Sequence, residues 1–165
     1  MTVSLRAAAP DDAAAIQEVR FMSWRAAYAA LIPEALFTRF DRAAAAARHA
    51  ERLASGAARA LVAEIDGTTV AFATFGPCRD DDLPDAGEVY GLYVHPDNWS
   101  TGIGRALLPA AVDALGVRPV VLWVLRDNAR ARRFYELAGW ASDGNVQDAD
   151  ILGELSLPEL RYRLD

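Results

Sequence analysis

The chain has 165 residues, 53% of them hydrophobic, and a net charge of −6 in which 17 arginines and no lysine supply the positive charge. This length fits one domain spanning residues 1–165 with a real core. The acidic balance argues against sequence-independent nucleic-acid binding, and no apolar run approaches the ~20 residues of a membrane span. Cys78 is the single cysteine, which excludes an internal disulfide, and the amino-terminal residues carry no basic-then-apolar signal pattern, so a soluble, cytoplasmic protein is expected.

Taken in chain order, Val3–Ala7 reads as a strand, followed by a helix from about Pro10 to Tyr28 and a second from about Glu34 to Ala54. Phe21, Trp24 and Tyr28 recur at i, i+3 and i+7, an aromatic stripe on one face of the first helix. Arg59–Ile65 and Thr68–Gly76 flank Asp66-Gly67, a dipeptide whose tolerance of positive φ marks a hairpin turn. Asp80, Asp81, Asp82 and Asp85 lie in a proline-bearing loop and are expected to be solvated. Glu88–Val94 is mostly apolar and bounded by turn chemistry, hence a strand. Val120–Leu125 is uninterrupted and apolar, as expected of a strand buried on both faces.

Between these last two strands lies Val94-His95-Pro96-Asp97-Asn98-Trp99-Ser100-Thr101-Gly102-Ile103-Gly104-Arg105, a glycine-bearing turn that opens a helix reaching Leu115. Consecutive N–H groups at a helix N-terminus, with about half a positive charge from the aligned peptide dipoles, make an anion site. Gly102 and Gly104 carry no Cβ to keep a phosphate off the backbone. The chain has no lysine for a P-loop, and Leu107 stands where a dinucleotide fingerprint needs its third small residue. Pro109 removes one hydrogen bond from this helix, so a local irregularity is expected there. After the second strand, Asp127 or Asn128 can cap a helix whose Ala131, Phe134, Tyr135 and Ala138 share one face, with Gly139 suited to its C′ position.

The loop Trp99–Gly104 and the helix N-x-x-A-x-x-F-Y-x-x-x-G-W from Asn128 to Trp140, in this order and spacing, resemble the Gcn5-related N-acetyltransferase (GNAT) superfamily. Leu157–Arg163 is similar to that family's closing strand, and the stretch Ser23–Tyr28 with Ile32-Pro33 resembles an uncharacterised bacterial subgroup. The likeness covers essentially the whole chain. It implies an α/β fold with a mixed, mainly antiparallel central sheet flanked by helices, its splayed central strands holding coenzyme A. The family's loop reads Q/R-x-x-G-x-G/A; Trp99 departs from it and forfeits one side-chain contact to the pyrophosphate, while Arg105 adds charge nearby.

The resemblance further implies acetyl transfer from acetyl-coenzyme A to an amine. Tyr93, Val94, Trp99, Ser100, Thr101, Gly102, Ile103, Gly104, Arg105, Asn128 and Tyr135 are the expected coenzyme-binding residues. An acceptor amine is mostly ammonium near neutral pH, with lysine's ordinary pKa of about 10.4 as a guide. Glu88, whose pKa partial burial would raise, is the expected base, direct or through water. Tyr135 is the expected donor to the leaving thiolate, Asn128 orients coenzyme or Tyr135, and a backbone N–H near Val94 polarises the thioester oxygen. Trp24, Tyr28 and Trp123 are expected to line the acceptor site, which suits a small-molecule amine or a peptide amino terminus. No histidine, cysteine and carboxylate cluster has metal-ligand spacing, so no metal is expected. A homodimer is expected by analogy alone. A catalytically silent coenzyme-binding sensor or scaffold is the alternative function.

Overall fold

The computed structural model describes residues 2–165. Seven strands among them form one sheet in the order β1-β2-β3-β4-β5-β7-β6. These are β1 Val3–Ala7, β2 Arg59–Ile65, β3 Thr68–Pro77, β4 Gly87–Val94, β5 Val120–Leu125, β6 Ala141–Ile151 and β7 Leu155–Leu164. Asp66 and Gly67, at φ 50° and 80°, close the β2–β3 hairpin as the dipeptide predicts. Every neighbouring pair is antiparallel except β4 with β5.

That parallel pair decides the architecture. Its register holds only at Gly87↔Val120 and Glu88↔Val121, after which the two strands diverge. A bulge in the β3–β4 register, falling between Thr74 and Phe75, leaves Tyr90 without a partner and bends β4 where the divergence begins. The remaining length of β4 and β5 forms the two sides of a cleft.

The helices are α1 Ala13–Tyr28, α2 Glu34–Thr38, α3 Arg42–Ala54, α4 Ile103–Leu115 and α5 Ala129–Leu137. Two differ from the sequence expectation. Pro10–Asp12 is a separate 3₁₀ turn ahead of α1, tied down by Arg6 on Asp12 at 2.8 Å. The helix expected from Glu34 to Ala54 is two helices, because Asp41 leaves helical geometry and its carboxylate accepts the Ala44 N–H at 2.9 Å, restarting the chain as α3. α4 continues through Pro109, whose side of the helix is exposed, so the carbonyl it leaves unpaired faces water.

Ile103, Leu107 and Ala111 of α4 bury against Ala63, Ala71, Ala73 and Phe75, while Leu108 and Val112 join Val89, Val120, Leu122 and Tyr162. One helix face thus spans both halves of the divided sheet. Each fully buried leucine or isoleucine there contributes about 1.5–3 kcal/mol of transfer free energy. Ile16 and Val19 of α1 pack on Val62 and Phe72, and α2 closes with Phe21, Ile151 and Leu155. No described helix is long and apolar enough to cross a membrane.

Candidate active site

The cleft between β4 and β5 has a volume of about 1290 Å³. One end is built by the β4–α4 loop and α5, the other by α1, the loop after β3, β6 and β7. The loop turns through Ser100 at φ 63° and Gly102 at φ 91°, the latter a conformation that favours glycine. The first helical backbone bond of α4 runs from Ala106 N–H to Gly102 C=O at 3.1 Å, so the N–H groups of Ile103, Gly104 and Arg105 precede it. A Cβ at Gly102 would meet nothing within 4 Å, which leaves open space at these donors. At Gly104 a Cβ would sit 3.3 Å from Phe134, so this glycine serves the approach of α5 to α4.

The indole of Trp99 is fixed by its Nε1–H, which donates to the Val94 carbonyl at 2.7 Å. Over its face, 4.1 Å from the ring centroid, lies the guanidinium of Arg130 from α5, which also donates to the Ser100 hydroxyl at 3.3 Å. A cation thus stands at the loop although its first position holds an aromatic residue. Thr101 is the one expected coenzyme contact not on the cleft wall: its hydroxyl donates back to the Asn98 carbonyl at 2.6 Å, satisfying the turn itself. Tyr93, Val94, Trp99, Ser100, Gly102, Ile103, Gly104, Arg105, Asn128 and Tyr135 all line the cleft.

Asn128 caps α5, its Oδ1 accepting the Ala131 N–H at 3.1 Å, while its Nδ2 donates to the Tyr28 hydroxyl at 3.1 Å. The first and last helices are thereby joined across the cleft. Tyr135 is 8% exposed, and burial, with Tyr93 and Tyr28 nearby, pushes its phenol well above the ordinary value. It therefore carries its proton throughout the neutral and mildly alkaline range.

Glu88 lines the cleft at the last paired step of β4 and β5, but it is 1% exposed and not free. Arg79 Nη2–H donates to its Oε1 at 2.6 Å, Arg79 Nε–H lies 3.2 Å from Oε2, and the Arg79 backbone N–H reaches Oε2 at 2.9 Å. The partial burial expected for Glu88 is complete burial with a tightly bound cation. Arg79 in turn lies 4.4 Å from the Tyr90 ring centroid. Trp24, Tyr28 and Trp123 line the same side of the cleft.

The acidic loop is not simply solvated. Arg161, with a side chain only 5% exposed, ion-pairs with Asp80, Asp82 and Asp143 at 3.0, 2.7 and 2.6 Å. Asp80 also accepts the Trp123 Nε1–H at 3.1 Å. Arg79, Arg130, Glu159 and Arg161 were not singled out by the sequence reading. One signal was available for two of them: Glu159 and Arg161 alternate with apolar Leu160 and Tyr162, which places both charges on one face of β7. Among the described residues no group of histidine, cysteine and carboxylate side chains could hold a metal ion.

A divided sheet with a helix N-terminus facing the gap defines an acetyltransferase-type fold, and the comparisons agree. The sequence model of the Acetyltransferase (GNAT) family matches residues 21–140, and the chain belongs to that family. A protein of Mycobacterium tuberculosis named as a probable N-acetyltransferase is 26% identical over 164 residues, 98% of this chain and 93% of its own length. A GCN5-related N-acetyltransferase structure from Rhodopseudomonas palustris superposes with a TM-score of 0.77 at 25% identity, covering 99% and 95% of the two chains. The PaiA N-acetyltransferase of Thermoplasma acidophilum, solved with coenzyme A, gives 0.74 at 22% identity over 97% and 98%.

Proposed function

We propose that this protein, acting as one domain, transfers the acetyl group of acetyl-coenzyme A to the primary amine of a small molecule by direct attack on the thioester. The observation that carries this reading is the divergence of β4 and β5 beside the open N-terminus of α4. The N–H groups of Ile103, Gly104 and Arg105, the helix dipole and the guanidinium of Arg130 form a cradle for a pyrophosphate. When bound, acetyl-coenzyme A supplies a thioester, an activated acyl group with a good leaving thiolate.

The chain's own groups then have distinct tasks. A backbone N–H at the end of β4 beside Val94 polarises the thioester oxygen. Tyr135, held protonated by burial, donates to the departing sulfur. Trp24, Tyr28 and Trp123 form the wall against which the acceptor rests, with Asn128 fixing Tyr28. The acceptor's proton goes to a carboxylate of this wall. Glu88, the base expected from the sequence, has both of its oxygens occupied by Arg79 donors.

The test is thiol release from acetyl-coenzyme A over a panel of aliphatic and aromatic monoamines, amino acids and short peptides. Amine-dependent release is expected, with small amines preferred over peptides. Tight coenzyme binding without amine-dependent release would favour a silent sensor, and failure to bind coenzyme would overturn the proposal.

A further inference from the structure

Five carboxylates line the acceptor end of the cleft: Asp80, Glu88, Asp148, Asp150 and Glu159. Two are already neutralised, Glu88 by Arg79 and Asp80 by Arg161. Asp148 and Asp150 lie on the exposed strand β6, where water solvates them, and Asp150 accepts the Gly153 N–H at 2.9 Å. Glu159 differs from all four. It is partly withdrawn from water, and among the described residues it has no arginine contact and a single hydrogen-bond partner, Gln147, whose Nε2–H donates to its Oε1 at 2.6 Å. Among the described residues nothing bonds its second oxygen, which is open to a ligand in the cleft.

Its place in the sheet is suited to the reaction. Glu159 sits in register with Leu125, at the end of β5 that has parted from β4, and Arg161 sits in register with Trp123. Side chains opposite one another in an antiparallel pair share a face, so Glu159 stands on the side of the sheet that carries Trp123 and Arg161. We propose that Glu159 is the carboxylate that receives the proton of the acceptor amine, while Glu88 is a fixed neighbour held by Arg79. This inference rests on the acetyltransferase reading and deepens it.

The surroundings favour proton uptake. Burial pushes the Glu159 carboxyl above its ordinary range, and the negative charges of Glu88 on β4 and Asp80 in the loop after β3 act in the same direction. The Gln147 hydrogen bond and the Arg79 charge oppose this without cancelling it. Tyr28 from α1 feels the Glu159 charge, Asp148 on β6 is in register with Pro158 and so alternates to the other face, and Arg161, two residues along β7, is spent on its three aspartates. Glu159 takes one proton from the ammonium and passes it to water at the open side of the cleft. The freed nitrogen lone pair forms the N–C bond as the C–S bond breaks. The electron pair of that bond leaves on sulfur, which takes a proton from Tyr135, and the phenol is restored by the second proton shed by nitrogen.

The experiment pairs two nucleophiles, the panel amine that the wild type acetylates fastest and hydroxylamine, which is largely unprotonated near neutral pH and needs no base to free its lone pair. Glu159→Gln is expected to lower kcat with the amine about 100-fold or more, to erase the acidic limb of the pH–rate profile, and to keep hydroxylamine turnover within a few fold. Glu159→Asp should recover part of the rate and the limb. Coenzyme affinity by calorimetry should stay within about twofold in both variants, which also reports folding. Glu88→Gln should lower the rate yet leave the acidic limb in place. An acidic limb that survives Glu159→Gln, or vanishes in Glu88→Gln, overturns the proposal. Equal loss of amine and hydroxylamine turnover in Glu159→Gln overturns it too, by revealing a structural role. A wild type that binds coenzyme yet acetylates neither nucleophile defeats the acetyltransferase reading itself.

Discussion

Arg161→Met tests whether the buried charge cluster beneath the acidic loop holds the proposed acceptor side of the cleft in place. The substitution keeps an unbranched stem of similar length but deletes the guanidinium that serves Asp80, Asp82 and Asp143. Removing one partner of a buried ion pair costs about 3–5 kcal/mol, because the charge left behind is desolvated. Asp82 is open to water and enters no figure, while Asp80 and Asp143 are only partly shielded, so the low end applies, about 3 kcal/mol. For a domain of this size each 1 kcal/mol moves Tm by about 2–4 °C, which gives a loss of about 6–12 °C. The pH dependence follows from the aspartates. The Arg161 hydrogen bond holds Asp82 below the ordinary carboxylate range. Burial pushes Asp143 upward, but hydrogen bonds from Asn145 and Arg161 outweigh it and the net shift is downward. A carboxylate whose folded pKa is depressed contributes stability above its unfolded value, about 3.9, and loses it as the pH falls through the folded value. The gap between wild type and variant should be full at neutral pH and narrow below about pH 4. Thermal unfolding followed by circular dichroism at both pH values measures it. A variant with the wild-type Tm at neutral pH, or a gap indifferent to acid, would mean that the Arg161 cluster does not carry this stability.

Two further substitutions address the coenzyme end. Tyr135→Phe should reduce kcat about 100-fold with coenzyme affinity within a few fold, measured by thiol release and calorimetry; because burial raises its phenol, no alkaline loss of rate through pH 9 should trace to this residue. Arg130→Ala should weaken coenzyme binding about tenfold and flatten its salt dependence, since the cation over Trp99 is removed; unchanged affinity at low salt would show that the backbone donors suffice.

Most of what could be read in the sequence was local. Asp66-Gly67, the capping Asn128 and Gly139 at φ 91° each act within a few residues, and each took the conformation its chemistry demands. The apolar run Val120–Leu125 is a strand with buried residues on both faces, as an uninterrupted run implies. The break before α3 was hidden by the alanines at 43–47, whose high helix propensity masked the capping signal of Asp41. The polar partners of the cleft were illegible for another reason. Arg161 meets Asp80 across 81 positions of chain, and Arg130 meets Ser100 across 30, pairings that only the tertiary fold creates. Glu88 could be placed on its strand, but nothing local announced that Arg79 would fold back onto it.

The hydrogen bond between Asn128 and Tyr28 has a thermodynamic corollary. The Asn128 oxygen is committed to its own helix and its amide nitrogen to Tyr28, so one side chain ties α5 to the end of α1. A ligand that takes the N–H now given to Tyr28 must release that hydroxyl, and a ligand that packs against Tyr28 changes how readily this N–H is surrendered; the second N–H of the amide can be used without the exchange. The two ends of the cleft are then energetically coupled through a single amide. By reciprocity, whatever one occupant does to the other's affinity is returned in equal measure.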